Sequence, residues 1–256
     1  MALTSYNISS INIGTITNPT KLNALRTFIN NHDLDIICLQ EVENEQLSLP
    51  GYVVFFNVDH ARRGTAIALK QHIRATHVER SLDSRLLALR VQDTTICNVY
   101  APSGSAQRAA RENLFRETLP YYLRHRTTHT ILAGDFNCVL RTCDSSSPNT
   151  SGALKTIVQQ LQLHDVWEKL CPRDAGYTYV CRNARSRLDR IYVSNGLRDQ
   201  LRSTHAHVCS FTDHKALTLR ICLPYLGQEH GRGFWSLRPY LLTDENVAEF
   251  QYKRQY

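Results

Sequence analysis

The sequence predicts an α/β protein: two β-sheets, mainly antiparallel, packed face to face with helices on their outer sides. Three observations carry that expectation. Short apolar and β-branched runs recur along the chain with turn residues between them, the mark of successive strands. Helical spacing is confined to a few segments, so helices interrupt the strands without alternating strictly with them. No segment repeats at a fixed period, which excludes solenoids and propellers.

The elements follow in order. Residues 6–13 read as a strand. The stretch 19–32 places Leu22, Leu25, Phe28 and Ile29 at helical spacing behind Pro19, which a helix tolerates in its first turn. Residues 35–41 form a buried strand, and strands over 52–56, 64–69, 85–91 and 95–100 follow with short joins. Residues 106–124 form a basic helix, interrupted or bent at Pro120. The run 129–133 is again a buried strand. Residues 142–151, rich in Ser, Asp, Asn and Pro, are a loop, and 152–163 are helical. Residues 177–180 and 188–193 bracket a basic turn and read as a hairpin. A last strand covers 216–223. After Pro224 the composition turns Gly-rich and polar, with Phe234-Trp235 standing alone. The expected organisation is one domain over 1–224 and a linker or tail over 225–256.

At 256 residues the chain can bury a substantial core. Its 42% hydrophobic and 21% charged residues are ordinary for a globular protein. The net charge of +7 and pI of about 9.0 favour a polyanionic partner, nucleic acid first and anionic membrane second. No signal peptide and no apolar run of about 18 residues stands in the sequence, so no membrane partner is expected. The eight cysteines are scattered. Cys38, Cys97 and Cys222 fall in apolar runs, where cysteine behaves as a small hydrophobe. Cys138 and Cys143 have no second pair at zinc spacing. All read as reduced thiols of a cytosolic or nuclear protein.

The chemistry concentrates at strand ends. Gly134-Asp135-Phe136-Asn137 follows a buried run, and an acid and an amide two residues apart on an extended segment point the same way. Such a pair can hold a water beside a metal-bound phosphate. Asn12, Glu41, Tyr100, Asp189 and Asp213-His214 stand at the ends of other strand-like runs. Phosphodiester hydrolysis needs an activated water, neutralised phosphate charge and a stabilised leaving oxygen. Glu41 and Asp213 offer hard oxygens suited to Mg²⁺. Asn12 supplies an amide to the metal or the phosphate, and Asp135 orients or deprotonates the water beside Asn137. His214 donates as imidazolium with Asp189 holding its ring. Tyr100 offers a phenolic donor. Singly each has a plain alternative, such as a solvated strand-end acid at Glu41 or an Asx-turn at Asp213. Together they form one set.

In this order the residues resemble the endonuclease/exonuclease/phosphatase superfamily, with the DNase-I-like fold. The matching pieces are Ile11-Asn12, Leu39-Gln40-Glu41, Asn98-Val99-Tyr100-Ala101-Pro102, Gly134-Asp135-Phe136-Asn137, Leu188-Asp189 and Thr212-Asp213-His214. Within it the chain looks most like the endonuclease domain of non-LTR (LINE-type) retrotransposons. Leu163-His164-Asp165-Val166-Trp167 followed by Tyr177-Thr178-Tyr179 fits that branch. So does Gly231-Arg232-Gly233-Phe234-Trp235 followed by Leu241-Leu242, which is similar to a joint leading to a reverse transcriptase. The resemblance implies a four-layer α/β/β/α sandwich, the same residue roles, and Mg²⁺, or Mn²⁺ in its place, held by Glu41, Asp213 and Asn12. It implies no small-molecule cofactor. It also implies a double-stranded DNA target nicked on one strand, a 3′-hydroxyl that primes reverse transcription, and continuation into a C-terminal reverse transcriptase. Nuclear action, reached from the cytoplasm, follows from that role. One departure is Gly14, where many relatives carry Asp or Asn; weaker Mg²⁺ binding is expected from it.

A basic nuclease must grip its substrate. Arg62 and Arg63 precede the Gly64 strand, and Arg182, Arg185 and Arg187 fill the 177–189 region beside Asp189. These are expected to contact phosphates and steepen salt dependence. The resemblance places Thr178 near the scissile phosphate, and Thr212 is expected to touch DNA. The alternatives are abasic-site repair, a phosphatase of inositol phosphates or sphingomyelin, and an inactive nucleic-acid-binding module. Before Leu188-Asp189 the chain has Arg185-Ser186-Arg187 in place of the aromatic wedge of abasic-site enzymes.

Overall fold

The computed structural model describes residues 3–16, 18–59, 62–181, 184–224 and 226. Arg182, the side chains of Arg62 and Arg63, and the tail from 227 onward lie outside the described residues. The chain opens with β1 (Leu3–Asn12) and α1 (Pro19–Asn31). Asn18 caps α1 by accepting the Lys21 N–H, Pro19 sits at its first position, and its inner face buries Leu25 and Ile29. Strands β2 (Ile36–Val42), β3 (Tyr52–Asp59), β4 (Arg62–Lys70), β5 (His77–Arg80), β6 (Leu86–Val91) and β7 (Thr94–Tyr100) follow.

The basic helix is not one helix. It runs as α2 (Arg108–Asn113), a π-helical stretch (Leu114–Thr118) and α3 (Leu119–Leu123). Pro120 has no N–H to return to the turn before it. The chain widens just ahead of it, with the Leu119 N–H reaching back five residues to the Leu114 carbonyl. Then come β8 (His129–Asp135), α4 (Gly152–Gln160), β9 (Leu163–Asp165), α5 (Val166–Leu170), β10 (Tyr179–Cys181), β11 (Ala184–Ser186), β12 (Asp189–Ser194), β13 (Leu201–Val208) and β14 (Lys215–Pro224).

Two six-stranded sheets result, ordered β13-β14-β1-β2-β4-β3 and β5-β6-β7-β8-β12-β9. Among the described residues only the β1/β2 and β7/β8 pairs are parallel within these sheets. Three apolar clusters mark the layers. Tyr6, Ile8, Ile67, Leu89, Ile131 and Leu219 lie between the sheets. Phe115, Leu119, Phe136 and Leu154 join the second sheet to its helices, and Leu25, Ile29, Leu39 and Phe211 join the first sheet to α1. This is the α/β/β/α sandwich. Leu226 is buried in the inter-sheet core and its N–H bonds the Tyr6 hydroxyl at 2.6 Å, so packing continues past Pro224.

The expected hairpin is redrawn. Its two arms are β10 and β11, paired antiparallel, while β12 leaves to enter the second sheet between β8 and β9. Strand β12 is buried throughout, which a hairpin arm in solvent would not be.

Two polar side chains tie the sheets together under the site. Gln40 Nε2 donates to Asn98 Oδ1 at 2.7 Å, and Asn98 Nδ2 donates to the Leu39 and Ala66 carbonyls at 2.8 and 2.9 Å. The Gln40 amide nitrogen and the Asn98 side chain thus satisfy each other across the sandwich, while Gln40 Oε1 is buried without a hydrogen-bond partner.

Candidate active site

Topology gathers the strand-end residues at one edge. Because β1 and β2 run parallel, Asn12 and Glu41 end together; because β7 and β8 run parallel, Tyr100 stands in register with Asp135. Strand β12 starts antiparallel to β8, which sets Asp189 opposite Asp135. Strand β14 starts antiparallel to β1, which leaves Asp213-His214 just beyond the Asn12 end. Gly134 is required here: at φ +148° it passes so close to β7 that a Cβ would lie 1.9 Å from the Val99 carbonyl oxygen.

The residues mesh by hydrogen bonds. Asn12 Nδ2 donates to Glu41 Oε1 at 3.1 Å and to Asp135 Oδ2 at 3.0 Å, while Asn12 Oδ1 accepts the Gly14 N–H at 3.0 Å. The Tyr100 hydroxyl donates to Glu41 Oε1 at 3.2 Å. Asp135 also receives the Asn137 N–H at 2.9 Å, and Asn137 Nδ2 donates to it and to the Ala101 carbonyl. His214 Nδ1 and Asp189 Oδ2 are 2.9 Å apart. Gly14, Glu41, Ser103, Asp135, Asn137, Asp213 and His214 line a cleft of about 460 Å³.

The electrostatics follow from burial and charge. Burial, with Asp189 adding to it, pushes the Asp135 carboxyl up to about 7, against the pull of His214 and the Asn137 and Asn12 donors. Burial alone would lower His214; the Asp189 carboxylate outweighs it and raises the imidazole to about 10, so the ring is an imidazolium at neutral pH. Burial and the Glu41 carboxylate raise Tyr100 to about 12, which keeps its phenol a donor. The Arg85 guanidinium lies 4.6 Å over that ring.

The donor set suits a hard divalent cation. Glu41 and Asp213 present carboxylates to the cleft, and Asp189 Oδ1 is a buried oxygen with no hydrogen-bond partner. Atoms of Asp135, Asp189 and His214 also converge within 4.8 Å. His214 Nδ1 is already held by Asp189, which leaves Nε2 as the ring's remaining nitrogen. As oriented, the Asn12 amide turns its nitrogen to two carboxylates. In this orientation it organises both carboxylates.

Two expected DNA contacts are corrected. Thr178 is 0% exposed; its hydroxyl accepts the Leu188 and Asp189 N–H groups, each at 3.1 Å, and its carbonyl accepts the Lys215 N–H. It holds the Asp189 and His214 segments and does not face a substrate. Arg187 is 1% exposed and, with Arg190, is caged by Asp144, Asp165 and Glu168 at 2.6–3.1 Å. Two adjacent charges with no escape to solvent need those acids. Arg185 is exposed as expected, its guanidinium 5.4 Å over the Tyr177 ring. Thr212 is half-buried and its hydroxyl accepts the His214 N–H at 3.2 Å. Ser103 was missed from sequence; it lies past the Tyr100-Ala101-Pro102 motif with nothing to single it out.

Fold and site together define a metal-dependent hydrolase on a two-sheet scaffold. The chain belongs to the endonuclease/exonuclease/phosphatase family, whose model matches residues 4–214. It is 27% identical, over 96% of its length, to a Transposon TX1 uncharacterized 149 kDa protein of Xenopus laevis. The chain spans 20% of that relative's length. In fold it is similar to an AP endonuclease from Archaeoglobus fulgidus, with a TM-score of 0.73 and 22% identity covering 84% of this chain and 99% of that one. It is also similar to the 3′ phosphatase NExo from Neisseria, solved bound to a product DNA hairpin, at TM-score 0.70 and 18% identity with the same coverage of both chains.

Proposed function

We propose that the chain is a Mg²⁺-dependent DNA endonuclease of the LINE type. It nicks one strand of double-stranded DNA and leaves a 3′-hydroxyl that primes reverse transcription by a region C-terminal to it. Mn²⁺ is expected to substitute, and the action is expected in the nucleus. The observation that carries this reading is the pairing of two opposed devices in one cleft. A carboxyl raised to about 7, Asp135, is placed beside an imidazole raised to about 10, His214. Likeness to a transposon protein supports the biological setting.

Asp135 takes the proton of the attacking water while Asn137 and Asn12 fix the carboxylate. His214, its Nδ1 engaged by Asp189, offers Nε2 to a phosphoryl oxygen. Tyr100 donates its phenol to the phosphate or the leaving oxygen. Glu41 and Asp213 would hold a divalent ion, which would supply neutralisation of phosphate charge and stabilisation of the leaving oxygen. The exposed Arg185 and, from sequence, Arg62, Arg63 and Arg182 are the proposed phosphate contacts.

Supercoiled plasmid is incubated with the chain in Mg²⁺ or Mn²⁺, beside Asp135→Ala and EDTA controls. Nicked circle that both controls abolish supports the reading, and extension of the nick by a DNA polymerase without end repair reports the 3′-hydroxyl. Plasmid that is bound but uncut would point to a binding module. Cleavage confined to abasic duplex would point to repair.

A further inference from the structure

We infer that Arg111 is a positioning residue for the cleft, acting through the loop that follows Tyr100; the inference rests on the nuclease reading of that cleft. Arg111 stands on the inner face of α2, three and four residues before the buried Leu114 and Phe115, where an apolar side chain would pack. Its exposure is 0%. Nη1 donates to the Pro102 carbonyl at 2.8 Å and to the Gly104 carbonyl at 3.1 Å. Nε and Nη2 are buried with no hydrogen-bond partner. Among the described residues no ion pair is made by this guanidinium, whereas Arg187 and Arg190 are each ringed by acids.

A buried cation without an anion weakens a fold, and an apolar side chain of similar length would be easier to bury. The compensation lies in what Arg111 holds. Gly104 takes φ +80°, and the turn aims two carbonyls at one nitrogen. Between them Ser103 lines the cleft. Just before them the Ala101 carbonyl accepts Asn137 Nδ2 at 2.8 Å, and Asn137 in turn holds Asp135. The field of Arg111 also reaches Cys138, next to Asn137, where it opposes the rise that burial imposes on the thiol. Arg111 therefore lies beneath the 101–104 loop, and through the Ala101 carbonyl that loop holds Asn137. It sets where Ser103 presents its hydroxyl to a phosphate and where Asn137 holds its amide.

The test compares wild type with Arg111→Met, Arg111→Lys, Ser103→Ala and the Arg111→Lys/Ser103→Ala double variant. Melting temperature, plasmid-nicking kcat and KM, and hydrogen exchange of amides 101–106 are read. The expected result is that Arg111→Met melts no lower than wild type, because an unpaired buried charge is gone, yet nicks about tenfold more slowly, because the two carbonyls of the loop lose their charged donor. Exchange of the loop amides should quicken in both Arg111 variants. Arg111→Lys should cost less in the Ser103→Ala background than alone, since both act on one loop. Additive losses, unchanged loop exchange, or a fall in melting temperature that accounts for the lost activity would each overturn the inference. If Arg111→Met does not fold, Arg111→Lys decides by exchange and by the cycle. Absence of nicking by wild type would refute the nuclease reading alone, and loop exchange would still judge the role of Arg111.

Discussion

Asp189 Oδ2 sits 2.9 Å from His214 Nδ1, and the segment carrying each is pinned by the same residue, Thr178. The carboxylate raises the imidazole from its ordinary value to about 10. A raised value means the pair stabilises the fold fully below about pH 6.5 and loses that contribution as pH rises through about 10. Asp189→Asn keeps the shape and removes the charge, so His214 deprotonates earlier. The alkaline limb of the nicking profile should move to lower pH, with activity at about pH 8 down by roughly 10²–10³. A profile that superimposes on wild type would rule out His214 as the proton donor.

Thr178→Val removes a hydroxyl that accepts two backbone N–H groups. The buried Asp189 donor and the part-buried Leu188 donor lose their acceptor, which costs about 1–3 kcal/mol. Because one of them belongs to Asp189, kcat should fall while KM for plasmid stays near wild type. Thr178→Ser should restore both. A rise in KM alone would return Thr178 to the role of a DNA contact.

Much of this was legible in the sequence, and the misses share a cause. Strands β2, β7 and β8 are buried over nearly their whole length and β14 over most of its length, so each reads as an apolar run. The site residues were legible because each ends such a run. Strand β5, half-exposed with sequence His-Val-Glu-Arg, carries no such run, and β13 breaks its pattern with His205 and His207. Strand β9 has three residues and α5 five, too few for a period to show. Arg185 and Arg187 look alike in a basic run; only the acids Asp144, Asp165 and Glu168, brought from segments about 20 to 40 residues earlier in the chain, tell them apart.

That difference is measurable. Arg185→Ala should leave melting unchanged and reduce the slope of log nicking rate against log salt by about one. Arg187→Ala strands buried carboxylates and should cost about 3–5 kcal/mol of stability. Equal melting temperatures for the two variants would contradict the burial of Arg187.

Asp144 gives the same cage a pH dependence. Burial would raise its carboxyl, but Arg190 first, then Arg187 and Arg141, hold it well below the ordinary carboxylate range. A depressed value means the stability is present above about pH 4 and is lost as pH falls below it. Asp144→Asn should therefore melt much lower at neutral pH and show a shallower loss on acidification. Parallel acid-unfolding curves would exclude this carboxylate as the acid-sensitive element.

Gly14 sets two effects against each other. It lines the cleft beside Glu41, where a carboxylate would strengthen a cation site. It also takes φ +54°, where Asp is among the side chains best tolerated but still costs about 1 kcal/mol. A Cβ would lie 3.3 Å from Thr212 Oγ1, the atom that receives the His214 N–H, so the loop bearing Asp213 and His214 must yield slightly. The charge effect should dominate metal binding and the backbone effect should dominate folding. Gly14→Asp is expected to melt lower than wild type without metal, to recover part of the loss when Mg²⁺ is added, and to reach half-maximal nicking at several-fold lower Mg²⁺, roughly the strength of one added carboxylate contact in a solvent-accessible cleft. Its maximal rate should not rise, because the displaced Thr212 carries His214 with it. A Mg²⁺ titration in which the variant binds no more tightly would show that Gly14 is there for its conformation and that the cation lies out of its reach.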